Sequence, residues 1–211
     1  MREVILVRHG HAASNLASTV NCSPPGVELS DQGVEEALAL RELLAYDRID
    51  LAVCSRLERT HQTVSLALGD RPVERVVMAG FDEIHFGSFD GGPLEDYRIW
   101  AWTHEPDDDC PGGGESRATA ALRYAGALDE LLARREERIL LVSHALPVRY
   151  VIDASDGRFP ASRLEHVAHA VPTVLGADAI ERAAATLRNW ALAPRFVDWE
   201  DGVMPDLDVG D

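Results

Sequence analysis

"VILVRHGHAASN" (residues 4–15) sets Val4, Ile5, Leu6 and Val7 directly before Arg8, His9 and Gly10. An unbroken apolar, β-branched run reads as a strand buried on both faces. Ending such a strand in a guanidinium and an imidazole brings charge to the edge of a core, where it needs partners from elsewhere in the chain. Two more apolar runs supply them. "LAVC" (51–54) is followed by Ser55, Arg56 and Arg59, and "ILLVS" (139–143) is followed by His144.

Helical patterns separate these strands. "SDQGVEEALALRELLAY" (30–46) has apolar residues at helical spacing and Ser30 in the N-cap place, "SRLERTHQTVSLAL" (55–68) follows its strand directly, and 115–138 reads as one long amphipathic helix. Basic residues near the end of the last would suit its dipole. Further strands are expected at 74–78 and 172–177. Strands alternating with helices predict an α/β fold, a three-layer α/β/α sandwich with a mainly parallel central sheet, whose site lies beyond the C-terminal strand ends. The Gly-, Asp- and aromatic-rich stretch 81–116 breaks the alternation and reads as an inserted lid. We expect a single domain over 1–197 and an acidic tail over 198–211, solvated or folded back over a site.

The chain has 211 residues and a formal net charge of −16. Such a surface repels nucleic acid and anionic membranes, so neither is an expected partner. No apolar run approaches the roughly 20 residues of a membrane-spanning helix, and no signal-peptide pattern is visible, so a cytoplasmic protein is expected. Cys22, Cys54 and Cys110 lack CxxC spacing and suit a reducing compartment. A homodimer is compatible with the sequence.

Two arginines and two histidines around one point select an anion, because the planar guanidinium fork matches phosphate oxygens. Histidine can attack phosphorus and form a covalent intermediate. Glu83 could protonate the leaving oxygen, with Asp82 and Asp90 as competitors for that place.

The motifs resemble those of the histidine phosphatase superfamily, the phosphoglycerate-mutase-like proteins, in order from residue 4 to about 152. Arg8, His9, Gly10 and Asn15 match R-H-G-x-[TS]-x-x-N, and "LSDQGVEEA" (29–37) retains Gly33. "CSRLERTHQT" (54–63) makes Arg59 the second phosphate-binding arginine; Arg56 would border the pocket or be solvated. "FDEIHFGSFDG" (81–91) puts Glu83 in the proton-donor place, "PGGGES" (111–116) resembles the family's helix start, and "LVSHALPVRYVI" (141–152) makes His144 the second histidine. The resemblance implies catalytic His9, Glu83, His144, Arg8 and Arg59, with Arg8, Asn15, Arg59 and His144 binding a small-molecule phosphate ester, and with neither metal nor cofactor. It implies a phosphomonoesterase working through phosphohistidine. His11 and Ala12 stand where the family has Glu or Gln and then Thr or Ser, Ala145 replaces a glycine, and Glu36 replaces a glutamine.

Mutases of this family usually carry a longer insertion and a basic bisphosphate pocket, whereas residues 92–114 are short and acidic. Phosphatase is therefore the expected activity, with mutase-type transfer or a non-catalytic phospho-ligand module as alternatives. His166 and His169, three apart, would share a helix face with no metal role. Gly112–Gly114 reads as a flexible approach to the 115–138 helix, and Arg149 as a structural ion-pair residue.

Overall fold

In the computed structural model residues 1–196 are described, so the tail expected over 198–211 lies outside the described residues. Five strands, β1 (Glu3–Arg8), β2 (Leu51–Cys54), β3 (Glu74–Val77), β4 (Arg138–Ser143) and β5 (Pro172–Gly176), form one sheet in the order β3-β2-β4-β1-β5. β1, β2, β3 and β4 are mutually parallel, and β5 runs antiparallel to β1 at the edge. The mainly parallel sheet is as the sequence indicates. The direction of β5 had no signal in its composition.

Alternate residues of each inner strand enter different cores, as a period of two requires. Val4, Leu6, Leu51, Val53, Ile139 and Leu141 join one apolar cluster, and Ile5, Val7, Ala52, Cys54, Leu140 and Val142 join the other. The second face is covered by α2 (Asp31–Leu43) and α3 (Glu58–Leu68), the first by α5 (Arg117–Leu132), α6 (Ala145–Ser155) and α7 (Ala177–Leu192). Leu6, Leu51 and Leu141 are at most 1% exposed, and truncating a leucine so placed to alanine costs about 2–5 kcal/mol.

Ser30 caps α2 by accepting from Gly33 N, and Ser116 caps α5 by accepting from Thr119 N. α5 stops at Leu132, short of the expected 138, and Arg134 and Arg135 fall beyond it, so no basic residue complements its last turn. Arg138 instead opens β4 and pairs with Glu3 and Asp47. α3 starts at Glu58, not 55, because Ser55 Oγ accepts Leu57 N–H in a turn. No helix carries His166 and His169; both lie in the irregular connection between α6 and β5.

The short α1 (Ala13–Leu16) follows β1, and the 81–116 segment contains α4 (Leu94–Thr103). Phe86, Tyr97, Ala101 and Cys110 from this segment are buried in the main apolar cluster, with Phe86 and Tyr97 edge-to-face at 4.6 Å. The Gly112–Gly114 stretch is not a flexible approach. Gly87 has φ +58 and its missing Cβ would collide with Pro111 O, while one on Gly114 would lie 2.6 Å from His85 O. Backbone bonds from Ser88 N to Pro111 O and from Glu115 N to His85 O close the two turns on each other. No helix of the described residues is long and apolar enough to cross a membrane.

Candidate active site

The C-terminal ends of β1, β2 and β4 converge, as an open parallel sheet requires. Arg8 ends β1 and His9 follows it, with its N–H donating to Ser143 O at the end of β4. The chain after β1 runs close against the start of α2. A Cβ on Gly10 would lie 2.6 Å from Gly33 O, and one on Gly33 would overlap His11 O, so two glycines let this loop sit on the start of α2.

Arg8, His9, Arg59 and His144 are each at most 8% exposed. His9 Nδ1 lies 2.7 Å from Gly10 O. A carbonyl only accepts, so Nδ1 carries the proton and Nε2 presents a lone pair. Arg59 Nε donates to that Nε2 over 3.0 Å, and Arg59 Nη2 donates to His144 Nδ1 over 3.1 Å. His144 Nε2–H then donates to Ser55 Oγ at 2.7 Å. One guanidinium thus spans both imidazoles, whose ring centroids are 5.2 Å apart. Burial, with Arg59 beside each ring, holds both histidines well below their usual pKa, so both are neutral near pH 7.

Burial also lowers Arg8 and Arg59 to about 10, still charged at neutral pH. Arg8 Nη1 donates to Val167 O, and its buried Nε has no hydrogen-bond partner among the described residues. Among the described residues neither buried guanidinium has an ion-paired carboxylate, and such a pair makes a strong anion site, since an uncompensated buried charge is costly. Glu83 is the carboxylate whose field reaches both arginines. Burial raises its pKa, against the lowering effect of Ile84 N–H, Arg59, Arg8 and Arg123. The carboxyl therefore keeps its proton to higher pH than an exposed glutamate.

Among the competing carboxylates, Asp82 is engaged with Arg56, accepting from its backbone N and from Nε at 2.6 Å. Asp90 accepts from Cys22 N and Ser23 Oγ. Arg56 is a half-exposed ion-pair residue outside the cluster. Arg149 pairs with Asp153 and Glu165. Asn15 uses its Oδ1 to accept Ala12 N at the start of α1.

Three neighbours were not read as part of the site from the sequence. Asn21 holds Arg59 by accepting Nη1 at Oδ1 and Nη2 at its carbonyl. Arg123 pairs with Glu115 at 2.6 Å and donates to the carbonyls of Gly80, Asp82 and Glu83, which fixes the backbone that carries Glu83. His169 lies 5.5 Å from His9, centroid to centroid. Asn21 and His169 sit in irregular connections with no period to mark them, and Arg123 looked like an ordinary helix residue. Among the described residues no group of His, Cys, Asp or Glu could hold a metal ion.

The family model described as the histidine phosphatase superfamily (branch 1) matches residues 4–191. The adenosylcobalamin/alpha-ribazole phosphatase of Salmonella typhimurium is 28% identical over 66% of this chain and 72% of its own length. A 2,3-bisphosphoglycerate-dependent phosphoglycerate mutase of Brucella ovis is 30% identical over 78% of this chain and 86% of its own. The structure of a putative alpha-ribazole-5'-P phosphatase from Escherichia coli shares the fold, with a TM-score of 0.71 at 23% identity over 82% of this chain and 89% of that one.

Proposed function

The chain belongs to the histidine phosphatase superfamily, and on that premise we propose that it hydrolyses a small phosphate monoester through a phosphohistidine on His9. The observation that carries this reading is the Arg59 fork, which touches His9 Nε2 at 3.0 Å and His144 Nδ1 at 3.1 Å. It sets a phosphate-seeking cation against the lone pair that would attack phosphorus.

In the first step His9 Nε2 forms a bond to phosphorus as the ester P–O bond breaks, and protonated Glu83 gives its proton to the departing alkoxide. Arg8 and Arg59 neutralise the phosphoryl oxygens, the main contribution a protein makes to such transition states. His144 steadies Arg59 from the other side. In the second step water attacks phosphorus, ionised Glu83 accepts its proton, and the N–P bond breaks to restore neutral His9. The charge this chemistry needs is carried by the arginines, so no metal is invoked.

Mutase-type transfer is the second reading. The Brucella mutase matches over 78% of this chain and 86% of its own length, so overall similarity does not separate the two activities. Charge favours hydrolysis. Residues 92–114 include Glu95, Asp96, Glu105 and Asp107–Asp109, and Arg98, their one cation, has Glu95 at 3.9 Å. A stretch so acidic is a poor counterpart for a doubly phosphorylated ligand. The test is a panel of phosphate monoesters, phosphoglycerate included, scored for phosphate release and for isomerisation without a bisphosphate primer. Release from at least one ester supports hydrolysis; rapid isomerisation with negligible release reverses the choice.

A further inference from the structure

Behind the proposed nucleophile lies an imidazole that the reaction above leaves unused. His169 Nδ1–H donates to the carbonyl of His9 over 2.8 Å. At the other end of the same peptide group, Gly10 N–H donates to Thr63 Oγ1 over 3.0 Å. The His9–Gly10 peptide is thus clamped at both its oxygen and its nitrogen. Gly10 O, next along the chain, receives His9 Nδ1–H and sets the ring. Rotation of the clamped peptide would move that carbonyl and misdirect Nε2.

The segment around His169 grips the preceding residue as well. Val167 O accepts Arg8 Nη1 at 2.7 Å, and Ala170 N–H donates to Arg8 O at 2.9 Å. The His169 ring also meets His11 edge-on at 5.4 Å, and His11 Nδ1–H is held at 2.7 Å by Ser30 Oγ, the cap of α2. A line of support therefore runs from a helix cap through two imidazoles to the backbone of His9. His11 is also a residue by which this chain departs from the family's signature.

We propose that His169 is a positioning residue for His9, holding the His9–Gly10 peptide so that Nε2 keeps its aim, with His11 as its support. This rests on the phosphohistidine reading. Burial, reinforced by Arg8, lowers its pKa to about 3, so the ring stays neutral and its single N–H stays on the His9 carbonyl. His169 Nε2 is buried without a hydrogen-bond partner among the described residues, so the Nδ1–H bond is the one polar contact that fixes the ring.

The experiment compares His169→Ala, His169→Asn and His169→Gln with the wild type in the full chain, measuring kcat, KM and Tm with nitrophenyl phosphate. Asparagine can place an amide N–H where Nδ1–H was, while glutamine places its amide where Nε2 was. A misaimed nucleophile should lower kcat about 10- to 100-fold in the Ala and Gln variants, since a displacement of order 1 Å can cost about 100-fold. KM should stay within about threefold, because the phosphate-binding arginines remain, and Asn should restore most of kcat. Equal losses in Asn and Gln, an unchanged kcat in Ala, or a loss that merely tracks Tm across the series would overturn the proposal. If Ala does not fold, Asn against Gln decides. An inert wild type removes the reaction and the role together, whereas an active wild type matched by Ala removes the role alone.

Discussion

The strand-end cluster and the 81–116 segment differ in the balance of their bonds, the first depending more on side chains and the second more on backbone. In the cluster, side chain meets side chain: Arg59 with His9, His144 and Asn21, and His144 with Ser55. In 81–116, backbone meets backbone: Ser88 N with Pro111 O, Glu115 N with His85 O, Gly114 N with Cys110 O. A side-chain network specifies its residues, because each member supplies a donor, an acceptor or a charge that no other residue type replaces. A backbone network specifies only the path of the chain and a few glycines, and it tolerates new side chains on its outer face. We therefore assign chemistry to the first region and choice of leaving group to the second. Substitutions in the first should change kcat for every substrate, and those in the second should change KM for some.

The sharpest break is His9→Ala. It removes the proposed nucleophile and little packing, so turnover should fall by on the order of 10⁴-fold or more. The Tm should stay within a few degrees, checked by thermal melts beside steady-state assays. Wild-type rates in a folded variant would end the phosphohistidine reading. Arg59→Lys should follow with a loss of about 10²–10³-fold on all esters, because an ammonium cannot bridge two imidazoles as a planar fork does. A loss confined to one substrate would move Arg59 into the specificity region and blur the contrast.

How much of this was legible in the sequence follows the same division. Arg8, His9, Arg59 and His144 were readable because unbroken apolar strands end just before them or a turn away, and a parallel sheet delivers its strand ends to one edge. Ser30 was readable as a cap, whereas Ser116 was read as part of the helix it caps. Asn21 and His169 were not readable, since each reaches the cluster from an irregular stretch. His169 arrives only because the chain after α6 returns to lie beside β1. The end of α5 was misread because Ala133 and the arginines after it are good helix formers, and nothing local announces that the chain must turn to enter β4. Gly112–Gly114 looked loose, since sequence alone does not distinguish a glycine that flexes from one pressed against a carbonyl.

Glu83→Gln tests the boundary between the regions, since Glu83 lies on the 81–116 segment and would act on the cluster. It should slow esters of poorly acidic alcohols by about 10²-fold and nitrophenyl phosphate by only a few-fold, because the nitrophenolate hardly needs a proton. The pH profile carries the sign. Glu83 is proposed to act as an acid with a raised pKa, so wild-type activity on poor leaving groups should decline as pH rises through that value. The Gln variant should lack that alkaline limb. Depressed His9 puts its own limb on the acid side, where protonation removes the lone pair, and that limb should survive in Glu83→Gln.

Within the second region, Asp90→Ala should have a modest effect. Its carboxylate ties the backbone N–H of Cys22 and the hydroxyl of Ser23 to the 81–116 segment. Losing those bonds should raise KM several-fold for bulky esters while kcat for nitrophenyl phosphate stays within about twofold, a surface-loop effect with a stability cost of about 1–2 kcal/mol. A uniform fall in kcat would show that this loop is coupled to the cluster through Asn21 and Arg59.

The smallest expected effect comes from removing divalent ions. Phosphoryl transfer needs positive charge around the equatorial oxygens, and enzymes supply it with metal ions or with arginines. Here Arg8 and Arg59 are both buried, both charged at neutral pH, and drawn to one edge by β1 and by the turn after β2. Glu83, the carboxylate whose charge acts on both, is pushed toward its neutral form, so it competes weakly with a phosphate dianion for the two guanidiniums. Activity measured in excess EDTA should accordingly match the untreated enzyme within error. Loss of turnover in chelator, restored by a divalent ion, would mean that the arginine pair is not a sufficient source of charge, and the cluster would no longer explain the chemistry by itself.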